Sequence, residues 1–129
     1  MEAAQILLGE KKEYSYLDGQ DSCTVRDLGI EYTVEDGQKP HLKLLLRGEV
    51  KDLRNDADPK KIEDKIESRL TVTMKKVYLR CCVENGMDPF RLSWWFLSTN
   101  AERFAPMIEK KELLSEDTLQ IEVQINLAV

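Results

Sequence analysis

The regular patterning of this sequence begins with His41-Leu-Lys-Leu-Leu-Leu-Arg-Gly48. Its even-numbered leucines fall on one side and its charged residues on the other, a period of two that predicts a β-strand. Leu45 interrupts the alternation, which indicates that the second face is also partly covered. Gly48 is expected to end this strand.

The carboxyl-terminal end of the chain repeats the same period. Leu119, Ile121, Val123, Ile125 and Leu127 alternate with polar residues and predict the last strand. Between the two strands, the period changes from Thr71 onward. Met74, Val77 and Cys81 share one helical face, and Gly86 suits the end of a helix, so we expect one amphipathic helix here.

Two further strands are expected from less regular patterns. Residues 62–67 are interpreted as a strand, although the spacing of Ile62 and Ile66 also matches a helix. Residues 91–97 alternate, which places Leu92, Trp94 and Phe96 on one face and Ser93 and Trp95 on the other. Residues 98–116 are expected to be rich in turns. Phe104, Ile108 and Leu113 are its expected core residues.

The first 40 residues carry weaker signals. Residues 3–8 predict a short helical turn that ends at Gly9, and Ile30, Tyr32 and Val34 predict a short strand. We therefore expect a partly ordered N-terminal extension over residues 1–40 and one α+β domain over residues 41–129.

Composition excludes several classes of function. The chain of 129 residues has a net charge of −5, which disfavours binding along a phosphate backbone. Its apolar runs are shorter than the ~20 residues of a membrane span, and its N-terminus does not resemble a secretory signal. An intracellular protein, in the nucleus or cytoplasm, with its three cysteines reduced is expected.

The expected order of strand, strand, helix, strand, irregular segment and strand is that of the β-grasp fold, in which the first and last strands pair in parallel at the centre of the sheet. Residues 41–129 resemble the ubiquitin-like superfamily, most closely SUMO and the SUMO-like domains of genome-maintenance adaptors. The matching stretches are Leu42-Lys-Leu-Leu-Leu-Arg-Gly48, Met74-Lys-Lys-Val77, Arg91-Leu-Ser-Trp-Trp-Phe-Leu97 and Glu112-Leu-Leu-Ser-Glu-Asp-Thr-Leu-Gln-Ile-Glu-Val123. The ubiquitin-like domains of tubulin-folding cofactors are a second resemblance, in outline over residues 61–77.

The resemblance implies a mixed sheet of four to five strands covered by one main helix. It also implies that Trp95, beside Ser93, points outward at the centre of a partner-binding face, unless residues 1–40 cover it. A SUMO-like groove for an extended peptide would be formed by Lys65, Ile66, Glu67, Lys75, Lys76 and Arg80. The sequence has no terminal Gly-Gly, so conjugation to other proteins is not expected.

Two residues of the helix suggest a covered surface independently of the resemblance. Leu79 and Val83 are four residues apart and lie away from the face of Met74, Val77 and Cys81, where a free domain would carry polar residues. Either the N-terminal segment or another protein is expected to cover them.

The sequence predicts a non-catalytic protein–protein interaction domain without cofactor, metal, membrane, nucleic acid or small-molecule substrate. The alternative is an obligate structural subunit of a larger complex. His41 has no candidate nucleophile near it in the sequence, and the adjacent Cys81 and Cys82 lack the spacing of a metal site.

Overall fold

The computed structural model describes residues 2–10, 12–18, 21–51, 53 and 58–127. Its elements in chain order are α1 (Glu2–Leu7), β1 (Tyr14–Asp18), β2 (Asp21–Glu35), β3 (His41–Lys51), α2 (Pro59–Tyr78), a π-helical turn (Leu79–Glu84), α3 (Leu92–Glu109) and β4 (Leu119–Leu127). The expected helical turn before Gly9, the strand around Tyr32 and the first and last patterned strands are confirmed. β3 continues past Gly48 to Lys51.

The four strands form one sheet in the order β1-β2-β3-β4. β1, β2 and β3 pair antiparallel, whereas β3 and β4 pair parallel, with Leu44 opposite Ile121. The sheet is curled into a half-barrel and is accompanied by two main helices. The α+β class, the mixed four-stranded sheet and the parallel pairing of the two patterned strands are therefore confirmed. β4 lies at the edge of the sheet, however, and not at its centre.

The inner face of the sheet carries the alternating apolar residues. Leu42, Leu44 and Leu46 are at most 1% exposed, because each faces the helices from the middle of the sheet. The buried side chains of the other strands are Tyr14, Tyr16, Cys23, Val25, Leu28, Leu119, Val123 and Ile125. The other face is mostly polar, with Leu17 and Leu45 as apolar exceptions, which is the pattern of a sheet covered on one side.

α2 begins at Pro59 because the preceding Asp58 caps it. The carboxylate of Asp58 accepts a hydrogen bond of 3.1 Å from the backbone N–H of Lys60, and proline suits the first helical position. Four buried residues then follow at intervals of four: Ile62, Ile66, Leu70 and Met74. The strand expected over residues 62–67 is therefore wrong. Its apolar spacing is the first part of a helical pattern that continues to Val77.

α3 replaces both the strand expected over residues 91–97 and most of the turn-rich segment that follows. The helix is kinked at Asn100, which has extended dihedral angles (φ −157°, ψ 90°). The side-chain oxygen of Asn100 accepts the backbone N–H of Arg103 at 3.2 Å and so caps the second half. Phe96 and Phe104 are both buried, one on each side of the kink. The expectation of a single main helix is wrong.

β1 and β2 come from the segment that was expected to be an extension. β2 pairs with β3 from Thr24 to Glu35, with a bulge between Arg26 and Gly29. Residues of the first 40 thus supply two of the four strands. The division of the chain into units 1–40 and 41–129 stays a prediction.

Candidate functional site

The chain changes direction between α2 and α3 at the π-helical turn. The backbone N–H and the side-chain amide of Asn85 both donate to the carbonyl of Arg80, at 3.3 Å and 2.7 Å. Gly86 follows with a φ of +62°, a conformation that glycine adopts without strain. π-helical turns within helices are often found at functional sites, so the surroundings of this turn are the first place to look for one.

Asp88 positions the start of α3. Its two carboxylate oxygens accept the backbone N–H groups of Leu92 and Ser93, each at 2.8 Å. Arg91, which directly precedes Leu92, has a φ of +57°, and this conformation turns the chain into the helix. The negative charge of Asp88 also lies at the positive end of the helix dipole, where it is favourable. One side chain therefore fixes the loop and the helix relative to each other.

A cavity of about 430 Å³ opens between the π-helical turn, this loop and the last turn of α3. We call it the π-turn pocket. Its lining residues are Cys82, Val83, Glu84, Asn85, Gly86, Met87, Asp88, Ser93, Ile108, Lys111, Leu113 and Leu114. Two of its apolar residues, Val83 and Met87, are 36% and 57% exposed. The pocket thus presents apolar side chains beside a few charged ones, in the size range of small-ligand and side-chain pockets.

Tyr32 and Trp95 connect the start of α3 to the sheet. Their ring centroids are 5.3 Å apart, and the Tyr32 hydroxyl donates to the carbonyl of Leu7 in α1 at 2.8 Å. Burial raises the pKa of Tyr32, and the negative charge of Asp88 raises it further. The phenol is therefore a permanent hydrogen-bond donor, and its role is to join α1, β2 and α3.

The exposed side of α3 carries an apolar surface that we call the Trp94 surface, formed by Trp94 and Leu97. Trp94 is 58% exposed and Leu97 is 37% exposed. The Trp94 ring meets Trp95 edge-on, with centroids 5.0 Å apart, and is held in place from behind by it. Tryptophan is enriched among the residues that dominate binding energy in protein interfaces. An exposed Trp94 that packs on the Trp95 ring is therefore suited to contact a partner.

Cys82 lines the pocket, but its thiol is not an activated nucleophile. Burial raises the pKa of the Cys82 thiol to about 12, with a further contribution from Asp88, so this thiol is protonated at neutral pH. His41 lies on β3 and is paired with Glu35 at 2.9 Å. Within the described ranges, no group of three His, Cys, Asp or Glu residues could hold a metal ion.

Trp95 and Ser93 do not form the outward sheet face that was expected. Both lie on α3, where Trp95 is half-buried against Tyr32, and Ser93 lines the π-turn pocket. The expected orientation of the two tryptophans is reversed, because consecutive residues on a helix are rotated by about 100° and do not alternate between two faces.

The six residues of the expected peptide groove all lie on α2 and its π-helical extension, and they do not surround a single groove. Ile66 is fully buried in the core. Glu67 and Lys75 bind the backbone of β4. Lys65, Lys76 and Arg80 are exposed.

Leu79 and Val83 lie where α2 continues into the π-helical turn. Leu79 is partly buried against the core, and Val83 stays 36% exposed in the π-turn pocket. The prediction that both residues are covered holds in part for Leu79. Val83 is accessible from the pocket.

Sequence reasoning missed Trp94 and Asp88. Asp88 precedes Pro89 and the apolar pair Leu92 and Phe96, which are four residues apart. That combination is a helix start followed by a helical spacing. It would have placed Trp94 on the exposed side of a helix.

No protein-family model matches this sequence, and no curated protein matches it significantly. Among solved structures, the chain is similar to the crystal structure of the GerBC protein, with a TM-score of 0.74 and 15% sequence identity. The match covers 98% of this chain and 44% of the GerBC chain. At this identity the similarity shows a shared fold, and the chain corresponds to somewhat less than half of GerBC.

This similarity overturns the ubiquitin-like interpretation. The resemblance to SUMO, to genome-maintenance adaptors and to tubulin-folding cofactors is wrong, and so is the function of a ubiquitin-like or SUMO-like interaction domain derived from it. The interpretation rested on a leucine-rich strand and a parallel final strand, and this chain has both within a fold that is similar to part of GerBC. The ubiquitin-like interpretation included neither α3 nor the pairing of β1 with β2.

None of the helices in the described part of the chain is long and apolar enough to cross a bilayer. The expected location inside the cell stays a prediction.

Proposed function

We propose that this chain is the GerBC-like part of a germination receptor subunit and that it works by binding, without catalysis of its own. The fold carries the proposal: nearly the whole chain, 98%, superimposes on part of GerBC with a TM-score of 0.74. GerBC is a germination receptor protein. The role is assigned by analogy with the shared fold; because one fold can serve many functions, the experiment below tests it.

The contact that fits this role is the Trp94 surface together with the mouth of the π-turn pocket. Trp94, Val83 and Met87 are exposed apolar side chains on or beside α3. Their exposure costs free energy in water, at ~25 cal/mol per Å² of apolar surface, and contact with another protein removes that cost. Another protein chain of the receptor is therefore the partner that we assign to this surface.

The absence of catalysis is supported by the state of the candidate groups. The Cys82 thiol is buried and protonated at neutral pH, and the carboxylate of Asp88 is engaged with two backbone N–H groups. The imidazole of His41 is paired with Glu35. These groups stabilise the fold where they lie.

Deletion of the gene in its own host, followed by measurement of spore germination, tests the proposal. Germination in response to at least one nutrient is expected to slow on deletion and to recover with the wild-type gene. Recovery is expected to fail with Trp94→Ala and to succeed with Leu8→Ala, a matched control at another exposed apolar residue (44% exposed).

Each variant must accumulate to the wild-type level for this comparison. A host that forms no spores, or a deletion strain that germinates normally with every nutrient, would overturn the receptor role. Recovery with Trp94→Ala would retain that role and exclude the Trp94 surface from it.

A further inference from the structure

The π-turn pocket lies where two helices end. One is α2, which the π-helical turn continues to Glu84, and the other is α3, which ends at Glu109. Residues from both ends line the pocket. The last carbonyl groups of a helix carry a partial negative charge. Both ends therefore favour a positive charge in or near the pocket.

The kink of α3 brings the two halves of this helix to the same pocket. Ser93 lies in the first turn of α3 and Ile108 in the last, yet both line the cavity. A straight helix would place these two residues about 22 Å apart. The kink at Asn100 thus bends the two halves of α3 around the pocket.

The charged groups that line the pocket have a negative sum. They are the carboxylates of Glu84 and Asp88 and the ammonium group of Lys111. Asp88 accepts two backbone N–H groups at the start of α3, so its charge is matched there. Within the described part of the chain, the exposed side chain of Glu84 forms no ion pair and no hydrogen bond. Glu84 is thus the acceptor that a positively charged ligand can use.

Lys111 has a structural role at the end of α3. Its N–H donates to the carbonyl of Ile108 at 3.0 Å, and the N–H of Glu112 donates to that of Met107 at 2.8 Å, which is the Schellman arrangement. Lys111 has the positive φ, +57°, that this arrangement requires. Its side chain passes over Gly86, since its Cδ lies 4.0 Å from the position of a Cβ added there. Positive charge is favourable at the C-terminal end of a helix, so the position of Lys111 does not imply an anionic ligand.

The uncharged wall of the pocket is largely apolar. Val83 and Met87, on either side of Glu84 in the sequence, are 36% and 57% exposed. A ligand with an aliphatic stem and a terminal cation would cover both residues and bring its charge to Glu84. Arginine suits this site better than lysine. Its guanidinium can donate two parallel hydrogen bonds to a carboxylate and others to nearby carbonyl groups.

We propose that the π-turn pocket binds an arginine side chain of the partner chain, whose guanidinium pairs with Glu84. The position of the pocket favours a protein as the source of this side chain, because Ser93, in the pocket, directly precedes Trp94. A protein that is bound to the Trp94 surface is placed to insert a side chain here. The proposal rests on the proposed function for the identity of the partner, whereas the chemistry of the pocket can be tested with this chain alone.

A capped arginine residue, N-acetyl-arginine N-methylamide, serves as the probe. The equivalent citrulline compound has nearly the same shape without the charge and is its control. Binding to the full chain is followed by amide chemical-shift changes in NMR spectra. The arginine compound is expected to shift the amides of residues 82–88 and 108–114, with a dissociation constant on the order of 1 mM. The citrulline compound is expected to bind at least about tenfold more weakly.

Two pairs of variants test the sign of the charge. Glu84→Gln is expected to weaken binding of the arginine compound by about tenfold, whereas Glu102→Gln, at an exposed residue of α3 outside the pocket, should not change it. Lys111→Gln removes a like charge and is expected to strengthen binding by about threefold, whereas Lys110→Gln, outside the pocket, should change it by less than about twofold. Circular dichroism and the unfolding midpoint verify that each variant is folded.

Equal binding of the two compounds, full binding by folded Glu84→Gln, or loss of binding in folded Lys111→Gln would each overturn the proposal. Shifts confined to other parts of the chain would do so as well. Free arginine distinguishes the source of the ligand: if it binds at least about tenfold more tightly than the capped residue, the pocket recognises a small molecule and not a side chain of a protein. These outcomes are independent of the germination experiment, which tests the receptor role in the host.

Discussion

The indole of Trp95 stacks on the phenol of Tyr32 with ring centroids 5.3 Å apart and an interplanar angle of 34°. Through this contact the first half of α3 is attached to β2, and the Tyr32 hydroxyl extends the attachment to Leu7 in α1. Adjacent in sequence, Trp94 is 58% exposed. The two tryptophans therefore have separate roles, one in stability and one at the surface.

Trp95→Ala is expected to lower the free energy of unfolding by about 2–4 kcal/mol, because it removes a large side chain that packs on the core. Trp94→Ala is expected to change it by less than about 0.5 kcal/mol, as is usual for an exposed residue. Urea unfolding followed by circular dichroism measures both. Equal losses for the two variants would contradict the orientation of α3.

Gly48→Ala tests how closely the curled sheet packs on itself. A Cβ at Gly48 would lie 2.7 Å from Val25 Cγ1 and 2.9 Å from Leu28 Cδ2, closer than carbon atoms can approach. The substitution is expected to cost about 1–3 kcal/mol of stability, as overpacking does. Gly29→Ala is the matched control in β2, since no atom lies within 4 Å of its added Cβ. A tolerated alanine at Gly48 would show that the sheet is less tightly curled there.

Thr118→Val tests the buried polar turn that leads into β4. The hydroxyl of Thr118 donates to the carbonyl of Leu113 at 2.7 Å and accepts the N–H of Ser115 at 2.9 Å. Valine keeps the shape but leaves both backbone groups without this partner, at an expected cost of about 1–3 kcal/mol. Thr118→Ser retains the hydroxyl and is expected to lose less. Thermal unfolding measures the stability of both variants. A larger loss for Thr118→Ser than for Thr118→Val would contradict the role of the hydroxyl.

Glu35 is expected to titrate below the usual range of a glutamate. The hydrogen bond from Lys43 is the largest cause of its lowered pKa, and the charges of Lys43 and His41 add to it. Because the folded-state pKa is lowered, these ion pairs favour the fold above the unfolded-state pKa, and the effect is lost as pH falls through the folded-state value. Carboxyl NMR titration measures the shift.

Lys43→Ala is expected to return the pKa of Glu35 towards the usual range, whereas Lys39→Ala, at an exposed residue of the same hairpin, should leave it lowered. A normal pKa for Glu35 in the wild-type protein would contradict the pairing.

The local pattern of the sequence correctly identified several elements. The strand from His41 and the strand from Leu119 were predicted because alternation by itself reports which face of a strand is covered. Phe104 and Leu113 were correctly expected in the core, and both are at most 3% exposed. Such features depend on residues that are near one another in the chain.

The binding surfaces could not be predicted in the same way. Residues 91–97 satisfy both an alternating pattern and a four-residue spacing, so the local pattern alone does not separate strand from helix. Tyr16 of β1 also meets Arg69 of α2, whose guanidinium lies 4.6 Å from the ring centroid. No sequence pattern reports a contact between residues so far apart in the chain.

By itself, the sequence determined the leucine-rich face of β3, the alternation of β4 and the α+β class, because the period of apolar residues follows directly from strand and helix geometry. The tertiary structure decided between strand and helix for residues 92–99, where Trp95 packs on Tyr32 of β2 at a centroid distance of 5.3 Å. It also decided which tryptophan is exposed. These outcomes depend on contacts between distant segments, which form only when the whole chain has folded.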